Sequence, residues 1–298
     1  LVATPFSGLV NSGLEAFRFH TLQPGLTLLD AVETRYGHVA YARLGDQVSV
    51  VQDGRIAESF PRPEAVQQTA AYVYAQSKDA KDILVFGSFA GGLVAELLRY
   101  PVRHIDVVIQ DENAFTHLKP YLTAENRAAL SDRRLRLRFG DSRQYLRGLT
   151  GQRYDLVLAL DAVPTSAHSN RFFTREFYSS LQAHMADSGV FCTRVSSASN
   201  YLGGTVRSYA GSIFRTLSEV FPEVSVMPGD IHLYCAGNRA GQVSEDPAEL
   251  GRRYLATELD EHRFPAGYFT SLLPQDRIRD LHRQFEEHPG ELNSDVRR

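Results

Sequence analysis

The sequence is poor in several informative residue types. Its 298 residues include two cysteines, two methionines and no tryptophan. Two cysteines cannot form a disulfide-rich scaffold or a cysteine-rich zinc site, and no His, Cys and Asp cluster has zinc-ligand spacing, so no metal is predicted. Cys192 and Cys235 both lie in apolar, strand-like runs. We therefore predict that they are buried free thiols.

The chain also lacks a strong charge and a long apolar run. Its net charge is −3, from 32 basic and 35 acidic residues, so we predict no nucleic-acid partner. No apolar run reaches the roughly 18 residues of a membrane-spanning helix, and no signal peptide opens the chain. The first residue is Leu1 rather than Met. We therefore expect the chain to be a fragment of a longer protein.

What the sequence does contain is a regular alternation of strand-like and helix-like segments between residues 83 and 236. This alternation predicts an α/β fold with a Rossmann-like, methyltransferase-type, mostly parallel seven-stranded sheet. A Pro-Gly-Asp turn between the last two strands predicts an antiparallel hairpin at the sheet edge. The predicted strands are 83–87, 105–109, 135–139, 155–161, 189–195, 223–227 and 231–235. The predicted helices between them are 91–99, 112–119, 142–149, 174–187 and 204–220.

Three domains are predicted from these patterns. Residues 1–77 form an N-terminal segment, in which Gly-Asp and Asp-Gly turns indicate a small antiparallel β-hairpin piece. It ends in a linking helix over residues 63–77. Residues 78–240 form the Rossmann-like nucleoside-binding domain, and residues 241–298 form a charged, helical C-terminal extension.

The stretch "ILVFGSFAGG", residues 83–92, joins the first strand of this domain to its first helix. A glycine turn at this position lets a ligand approach the backbone and lets the helix pack closely on the sheet. We predict that Gly87, Gly91 and Gly92 bind a nucleoside. The alternative is that they are packing glycines in an ordinary turn.

Three polar residues follow the second and third strands. Asp111 lies 20 positions after Gly91, about the spacing at which a carboxylate binds ribose hydroxyls. Asp141 and Ser142 follow the third strand, and Asp141 is predicted to accept a hydrogen bond from an adenine amino group. Both aspartates are also good helix N-caps, a role that is compatible with ligand binding.

Asp161 follows the fourth, central strand, "YDLVLALD". A carboxylate there points into the cleft of an open α/β sheet, where it can act as a general base on an amine. We predict that Asp161 is catalytic. His168 lies in the same loop, but a lone histidine is more often structural than catalytic.

Four stretches in this order resemble the polyamine aminopropyltransferases, the spermidine synthase family. "ILVFGSFAGG" stands where that family has G-G-G-D-G-G, and "VVIQDE" stands where it has V-E-I-D. "FGDSRQYL" resembles G-D-G-R-x-F-L, and "YDLVLALDAVP" followed by "NRFFTREFY" is similar to Y-D-V-I-x-x-D-x-x-D-P and L-F-T-x-E-F-Y. The resemblance covers about residues 31 to 236. It implies transfer of an aminopropyl group from decarboxylated S-adenosylmethionine to an amine such as putrescine, with no tightly bound cofactor.

The chain departs from this family at acidic positions. Ala90 stands where the turn has Asp, and Ile109 stands where the ribose-binding Glu belongs, with Gln110 and Asp111 as substitutes. The second Asp of D-x-x-D is missing, since Val163 precedes the proline, and only Glu64 is acidic in the helix "PEAVQQTAAYVYAQ". Burying a diamine among so few carboxylates is costly.

Three functions are compatible with these residues. The first is a spermidine synthase-like transferase that uses decarboxylated or intact S-adenosylmethionine as co-substrate. The second is a catalytically impaired nucleoside-binding or regulatory domain of a membrane protein, and the third is an S-adenosylmethionine-dependent methyltransferase. The C-terminal half resembles spermidine synthase-like domains fused to bacterial membrane segments. We therefore expect a soluble domain on the cytoplasmic side of an inner-membrane protein, with flanking transmembrane segments, small nucleoside and polyamine ligands, and assembly as a homodimer.

Overall fold

The computed structural model describes residues 19–87, 89–160, 170–196 and 204–296. Its N-terminal part is a four-stranded antiparallel sheet in the order β1-β2-β3-β4. The strands are β1 (Thr27–Thr34), β2 (Gly37–Leu44), β3 (Gln47–Gln52) and β4 (Arg55–Phe60). Positive φ angles at Asp53 and Gly54 form the type of two-residue turn that suits a hairpin between β3 and β4. The predicted N-terminal hairpin piece is therefore part of a larger antiparallel sheet.

Helix α1 (Pro63–Ser77) links this sheet to the second one and has the predicted bounds. Pro63 lies in its first turn, where a backbone N–H has no partner within the helix, so a proline costs no hydrogen bond there. The second half of the helix is buried. Its C-cap, Lys78, adopts the left-handed conformation that commonly ends a helix. Tyr72 and Tyr74 are fully buried, so the helix is anchored in the core between the two sheets.

The second sheet has seven strands in the order β10-β11-β9-β8-β5-β6-β7. Its strands are β5 (Asp82–Phe86), β6 (His104–Ile109), β7 (Leu135–Phe139), β8 (Tyr154–Ala159), β9 (Met185–Ser196), β10 (Glu223–Met227) and β11 (Ile231–Gly237). The pairs from β9 to β7 are parallel, and β10-β11 and β11-β9 are antiparallel. The predicted fold class and edge hairpin are confirmed.

Further α-helices within the described ranges are α2 (Leu93–Leu97), α3 (Glu112–Leu118), α4 (Ala124–Ala129), α5 (Ser142–Gly148), α6 (Arg175–Gln182), α7 (Gly204–Val220), α8 (Pro247–Leu255), α9 (Phe269–Leu272) and α10 (Gln275–Glu287). Helix α4 was not predicted. The helix predicted at 174–187 ends at Gln182, because Met185 is fully buried and pairs with Tyr154 at the start of β9. Sheet pairing here overrides the local helical pattern.

The cysteine prediction is wrong. Cys192 and Cys235 form a disulfide, with their Cα atoms 4.2 Å apart. They lie directly opposite each other on the antiparallel strands β9 and β11, and both are fully buried. The sequence shows two apolar strands but not that these two are neighbours, so it could not reveal the bond.

The C-terminal residues return to the sheet domain. Asp295 accepts two hydrogen bonds from the Arg143 guanidinium, at 2.7 and 2.8 Å, and Asn293 bonds Phe173 and Asn170. Residues 290–295 are thus fastened across α5, α6 and α7. Within the described ranges, no helix combines the length and the apolar character that crossing a membrane requires.

Candidate functional site

A cleft of about 480 Å³ lies between the N-terminal sheet and the carboxyl ends of β5, β6 and β8. Strand β5 stands between β8 and β6, so the chain changes direction across the sheet at this point. Open α/β sheets bind their ligands at such a switch point. Apolar side chains form much of the wall, among them Val39, Val50, Val66, Phe89, Leu93, Ile109, Phe115 and Leu118.

The glycine turn after β5 forms one side of this cleft. Gly87 and Gly91 line the cavity, whereas Gly92 lies behind them at the N-terminus of α2. Gly92 has a φ of 94°, a conformation that side-chain-bearing residues rarely adopt. The turn therefore brings the main chain at Gly87 and Gly91, together with the Phe89 side chain, to this part of the cleft.

The turn is held from beneath by α4. The Nδ2 of Asn126 donates a hydrogen bond of 2.7 Å to the carbonyl of Ala90, and Asn126 is buried. Ala90 is fully buried and is not among the residues that line the cleft. Phe89 packs edge-on against Phe115, with ring centroids 6.0 Å apart. These contacts fix the turn as a rigid part of the core.

Asp111 lies at the end of β6 and lines the cleft beside Gln110. Its Oδ1 accepts a hydrogen bond of 3.0 Å from the Ala114 amide and so caps α3. Its Oδ2 is buried and finds no hydrogen-bond partner in the described part of the chain. A buried carboxylate oxygen without a donor is costly, and a ligand hydroxyl would satisfy it. Both predicted roles of Asp111 are therefore compatible with its geometry.

Asp141 is differently placed. Its Oδ1 accepts from the Gln144 amide at 2.9 Å and caps α5, and its Oδ2 forms an ion pair with the guanidinium of Arg171. Neither Asp141 nor Ser142, the first residue of α5, lines the cleft. Both oxygens of Asp141 thus already have donors inside the protein.

The N-terminal sheet supplies a carboxylate that the sequence patterns did not single out. Glu58 of β4 lines the cleft and reaches the glycine turn. A Cβ on Gly91 would overlap the Oε1 of Glu58 and lie 3.4 Å from its Cδ. Pairing along β3 and β4 shifts between Val50, opposite Glu58, and Val51, opposite Ile56. This β-bulge lies directly beside Glu58, and sequence alternation cannot reveal it.

Two arginines also line the cleft. The half-buried Arg194, near the end of β9, donates a hydrogen bond of 2.6 Å from Nε to the carbonyl of Leu160, and Arg62 stands at the N-terminus of α1. Neither was predicted as a site residue. Asp161, the predicted catalytic residue, lies outside the described residues, as does His168.

Tyr41 connects the two halves of the site. Its hydroxyl donates to the Ala114 carbonyl at 2.5 Å, and its ring stacks on Tyr121 at 5.9 Å. Burial, and secondarily the negative charge of Asp111, hold the pKa of Tyr41 well above its ordinary value. The phenol is therefore a neutral hydrogen-bond donor that fixes the N-terminal sheet to α3.

Comparison with solved structures supports the fold. A spermidine synthase in complex with the transition-state analogue AdoDATO superposes with a TM-score of 0.69 and 17% identity, covering 88% of this chain and 89% of the other. The spermidine synthase of Thermotoga maritima gives a TM-score of 0.65 and 18% identity, covering 86% and 87%. Identities this low establish shared architecture alone.

Similar sequences are named as polyamine aminopropyltransferases. The protein from Agathobacter rectalis is 32% identical over 143 residues, 47% of this chain and 49% of its own length. The one from Lachnospira eligens is 29% identical over 216 residues, 70% and 74% of the two chains. A relative from Korarchaeum cryptofilum is matched over 36% of its length, so this chain spans only a third to a half of two of these relatives.

The sequence model of the spermine/spermidine synthase domain matches residues 65–234, which is more than half of the chain. The matched range begins in α1 and ends in β11, and it includes the glycine turn, Asp111 and Asp141. The chain belongs to the spermine/spermidine synthase family.

Proposed function

We propose that this protein transfers an aminopropyl group from decarboxylated S-adenosylmethionine to an amine. The observation that carries the proposal is the Oδ2 of Asp111, a buried acceptor for which the described residues supply no donor, beside a largely apolar cleft at the switch point of the sheet. A ribose hydroxyl supplies the donor, and the apolar wall suits an adenine ring. Relatives named as polyamine aminopropyltransferases support the choice of reaction.

In this proposal the nucleoside lies along the glycine turn. Gly87 and Gly91 let it approach the main chain, Gly92 shapes the turn, and Gln110 and Asp111 bind the ribose. Asp141, with Ser142 beside it, accepts from the adenine amino group while sharing its carboxylate with Arg171. This last assignment requires Asp141 to accept a third hydrogen bond, because its two oxygens already accept from donors within the protein.

The chemistry is a single displacement. The acceptor nitrogen attacks the aminopropyl carbon that is bonded to sulfur, the carbon–sulfur bond breaks, and its electron pair stays on sulfur. The neutral product is methylthioadenosine. Asp161 takes the proton that the amine must lose. No tightly bound cofactor takes part.

The test is turnover by the purified protein with decarboxylated S-adenosylmethionine and a panel of mono-, di- and triamines. We expect methylthioadenosine and an aminopropylated amine in equal amounts, and we expect Asp161→Asn to abolish both. Intact S-adenosylmethionine in place of the donor tests a methyl-transfer reaction in the same assay. Absence of any product would refute the proposed activity.

A second function, a nucleoside-binding domain without catalysis, is favoured by one observation. The ion pair between Asp141 and Arg171 occupies a carboxylate that the family resemblance assigns to the ligand. Calorimetry with methylthioadenosine separates the two functions, since binding without turnover on any amine supports the second. If neither decarboxylated nor intact S-adenosylmethionine binds, both the transferase function and the nucleoside-binding function are excluded.

We also propose that the chain is flanked by membrane-spanning segments, on the cytoplasmic side of a bacterial inner membrane, and that it forms a homodimer. The first part rests on the resemblance of the C-terminal half to membrane-fused domains. The full gene sequence tests it, since it must then encode apolar spans of about 20 residues. Sedimentation of the purified chain tests the dimer.

A further inference from the structure

Glu58 comes to the glycine turn from β4, beside an irregularity of that strand. The bulge between β3 and β4 leaves Ala57 without a partner and places Glu58 opposite Val50. Bulges are frequent beside active sites because they redirect a side chain that regular pleating would point elsewhere. Glu58 is half-buried, and both it and Val50 line the cleft.

The contact with Gly91 shows how closely the carboxylate approaches the turn. A methyl group on Gly91 would overlap the Oε1 of Glu58, so the end of that side chain would have to move away from the turn to admit it. The absence of a side chain on Gly91 thus allows the Glu58 carboxylate, from another sheet, to lie directly against the turn. The carboxylate and the turn form one continuous surface of the cleft.

Ala90, one position before Gly91, contributes no carboxylate to this surface of the cleft. Ala90 has no charge, is fully buried and is bonded through its carbonyl to Asn126. The resemblance described above implies an acidic side chain at position 90. In this protein the carboxylate of Glu58, on β4, reaches the same turn at Gly91, one residue after position 90.

We propose that Glu58 binds the ammonium group of the donor's aminopropyl chain, in place of the acidic residue that the turn lacks. This inference rests on the proposed function and specifies its ligand: an adenosine sulfonium compound that carries a primary amine. An ammonium group in a cleft with largely apolar walls requires a charged partner, because its desolvation is otherwise uncompensated. Charge-assisted hydrogen bonds of this kind are about twice as strong as neutral ones.

The experiment compares two ligands that differ in the group Glu58 would bind. Methylthioadenosine lacks the aminopropyl chain, and decarboxylated S-adenosylmethionine carries it. Dissociation constants for both are measured by calorimetry on the wild type, Glu58→Gln, Glu58→Asp and the control Glu33→Gln. Glu33 is an exposed residue of β1 outside the cleft, so its variant removes a charge from the same sheet.

We expect Glu58→Gln to weaken binding of the aminopropyl donor by about tenfold or more, with methylthioadenosine changed less than about twofold. Glu58→Asp retains the charge and should recover part of the affinity, and Glu33→Gln should leave both constants unchanged. An equal loss for both ligands would mean that Glu58 only shapes the turn and would overturn the inference. No change for either ligand would do the same. Failure of the wild type to bind methylthioadenosine would instead refute the nucleoside site on which the proposed function depends, and the inference with it.

Discussion

Arg194 donates a hydrogen bond from its Nε to the carbonyl of Leu160, the last residue before Asp161. This places a guanidinium at the end of the cleft where we expect the acceptor amine. Family resemblance implies a cluster of carboxylates there, which would suit a doubly charged diamine. We expect a cation at this position to select against such an acceptor.

We expect Arg194→Gln to increase kcat/KM for putrescine by about tenfold. Two like charges ~10 Å apart at an effective dielectric constant of ~20 repel by about 1.7 kcal/mol, which is roughly 17-fold, and screening by salt brings the effect towards about tenfold. A monoamine of similar length should gain less. The measurement is steady-state production of methylthioadenosine with each amine.

Two further variants separate charge from geometry in this experiment. Arg194→Lys keeps the cation and should behave like the wild type. Arg239→Gln removes an exposed arginine, paired with Asp187 at the surface, and should change neither rate. If Arg194→Lys has the same effect as Arg194→Gln, the hydrogen bond to Leu160 matters and the charge does not.

Different substitutions can separate the observed cap of Asp111 on α3 from its proposed contact with ribose. Asp111→Asn keeps an oxygen to cap α3 at Ala114 but removes the charge and the second acceptor. We expect affinity for methylthioadenosine to fall by about tenfold and the free energy of unfolding to change by less than about 0.5 kcal/mol. Asp111→Ala should lose the cap as well, at about 1 kcal/mol. Calorimetry and urea unfolding give the two quantities, and equal affinities for wild type and Asp111→Asn would refute a ribose contact.

The ion pair of Asp141 with Arg171 allows a test of the adenine contact. Asp141→Asn keeps the cap on α5 and loses the charge, and we expect the pair to contribute about 1 kcal/mol to stability in a double-mutant cycle with Arg171→Gln. The ligand test compares methylthioadenosine with methylthioinosine, which has an oxygen in place of the adenine amino group. If Asp141 accepts from that amino group, the wild type prefers methylthioadenosine, and Asp141→Asn loses much of the preference. An unchanged preference would restrict Asp141 to its structural role.

His232 makes stability depend on pH. Burial, and secondarily the charge of Arg277, lower the pKa of His232 to about 4 in the folded protein. The unfolded chain, with a histidine pKa of about 6.5, therefore binds a proton between pH 6.5 and 4 that the folded protein does not bind. Stability from this group is present above pH 6.5 and falls as the pH drops towards 4, by up to about 3 kcal/mol.

The matched measurement is urea unfolding at several pH values from 4.5 to 7. We expect the free energy of unfolding of His232→Asn to vary less steeply with pH than that of the wild type. His288→Asn, at an exposed histidine of the C-terminal region, serves as the control and should follow the wild type. Parallel curves for the wild type and His232→Asn would show that this histidine does not determine the acid sensitivity.

Much of the fold follows from local sequence patterns. Alternating strands and helices, the Pro-Gly-Asp turn and the glycine turn predicted the seven-stranded sheet and the position of the cleft, because these signals depend on neighbours within a few residues. Asp111 was found for the same reason, since strand ends and their spacing are visible in the chain. The length of α6 was not predicted, because sheet pairing at Met185 decides it.

The chemistry within the cleft depends on contacts between distant residues. Glu58 reaches Gly91 from another sheet, Arg171 pairs with the carboxylate of Asp141 across 30 residues, and Cys192 bonds Cys235 across 43. Periodicity specifies which face of a strand a side chain occupies but not which distant residue lies opposite it. The class of fold and the place of the site can thus be deduced from local order. Which charged side chains line the cleft is decided only by the packing of the two sheets against each other.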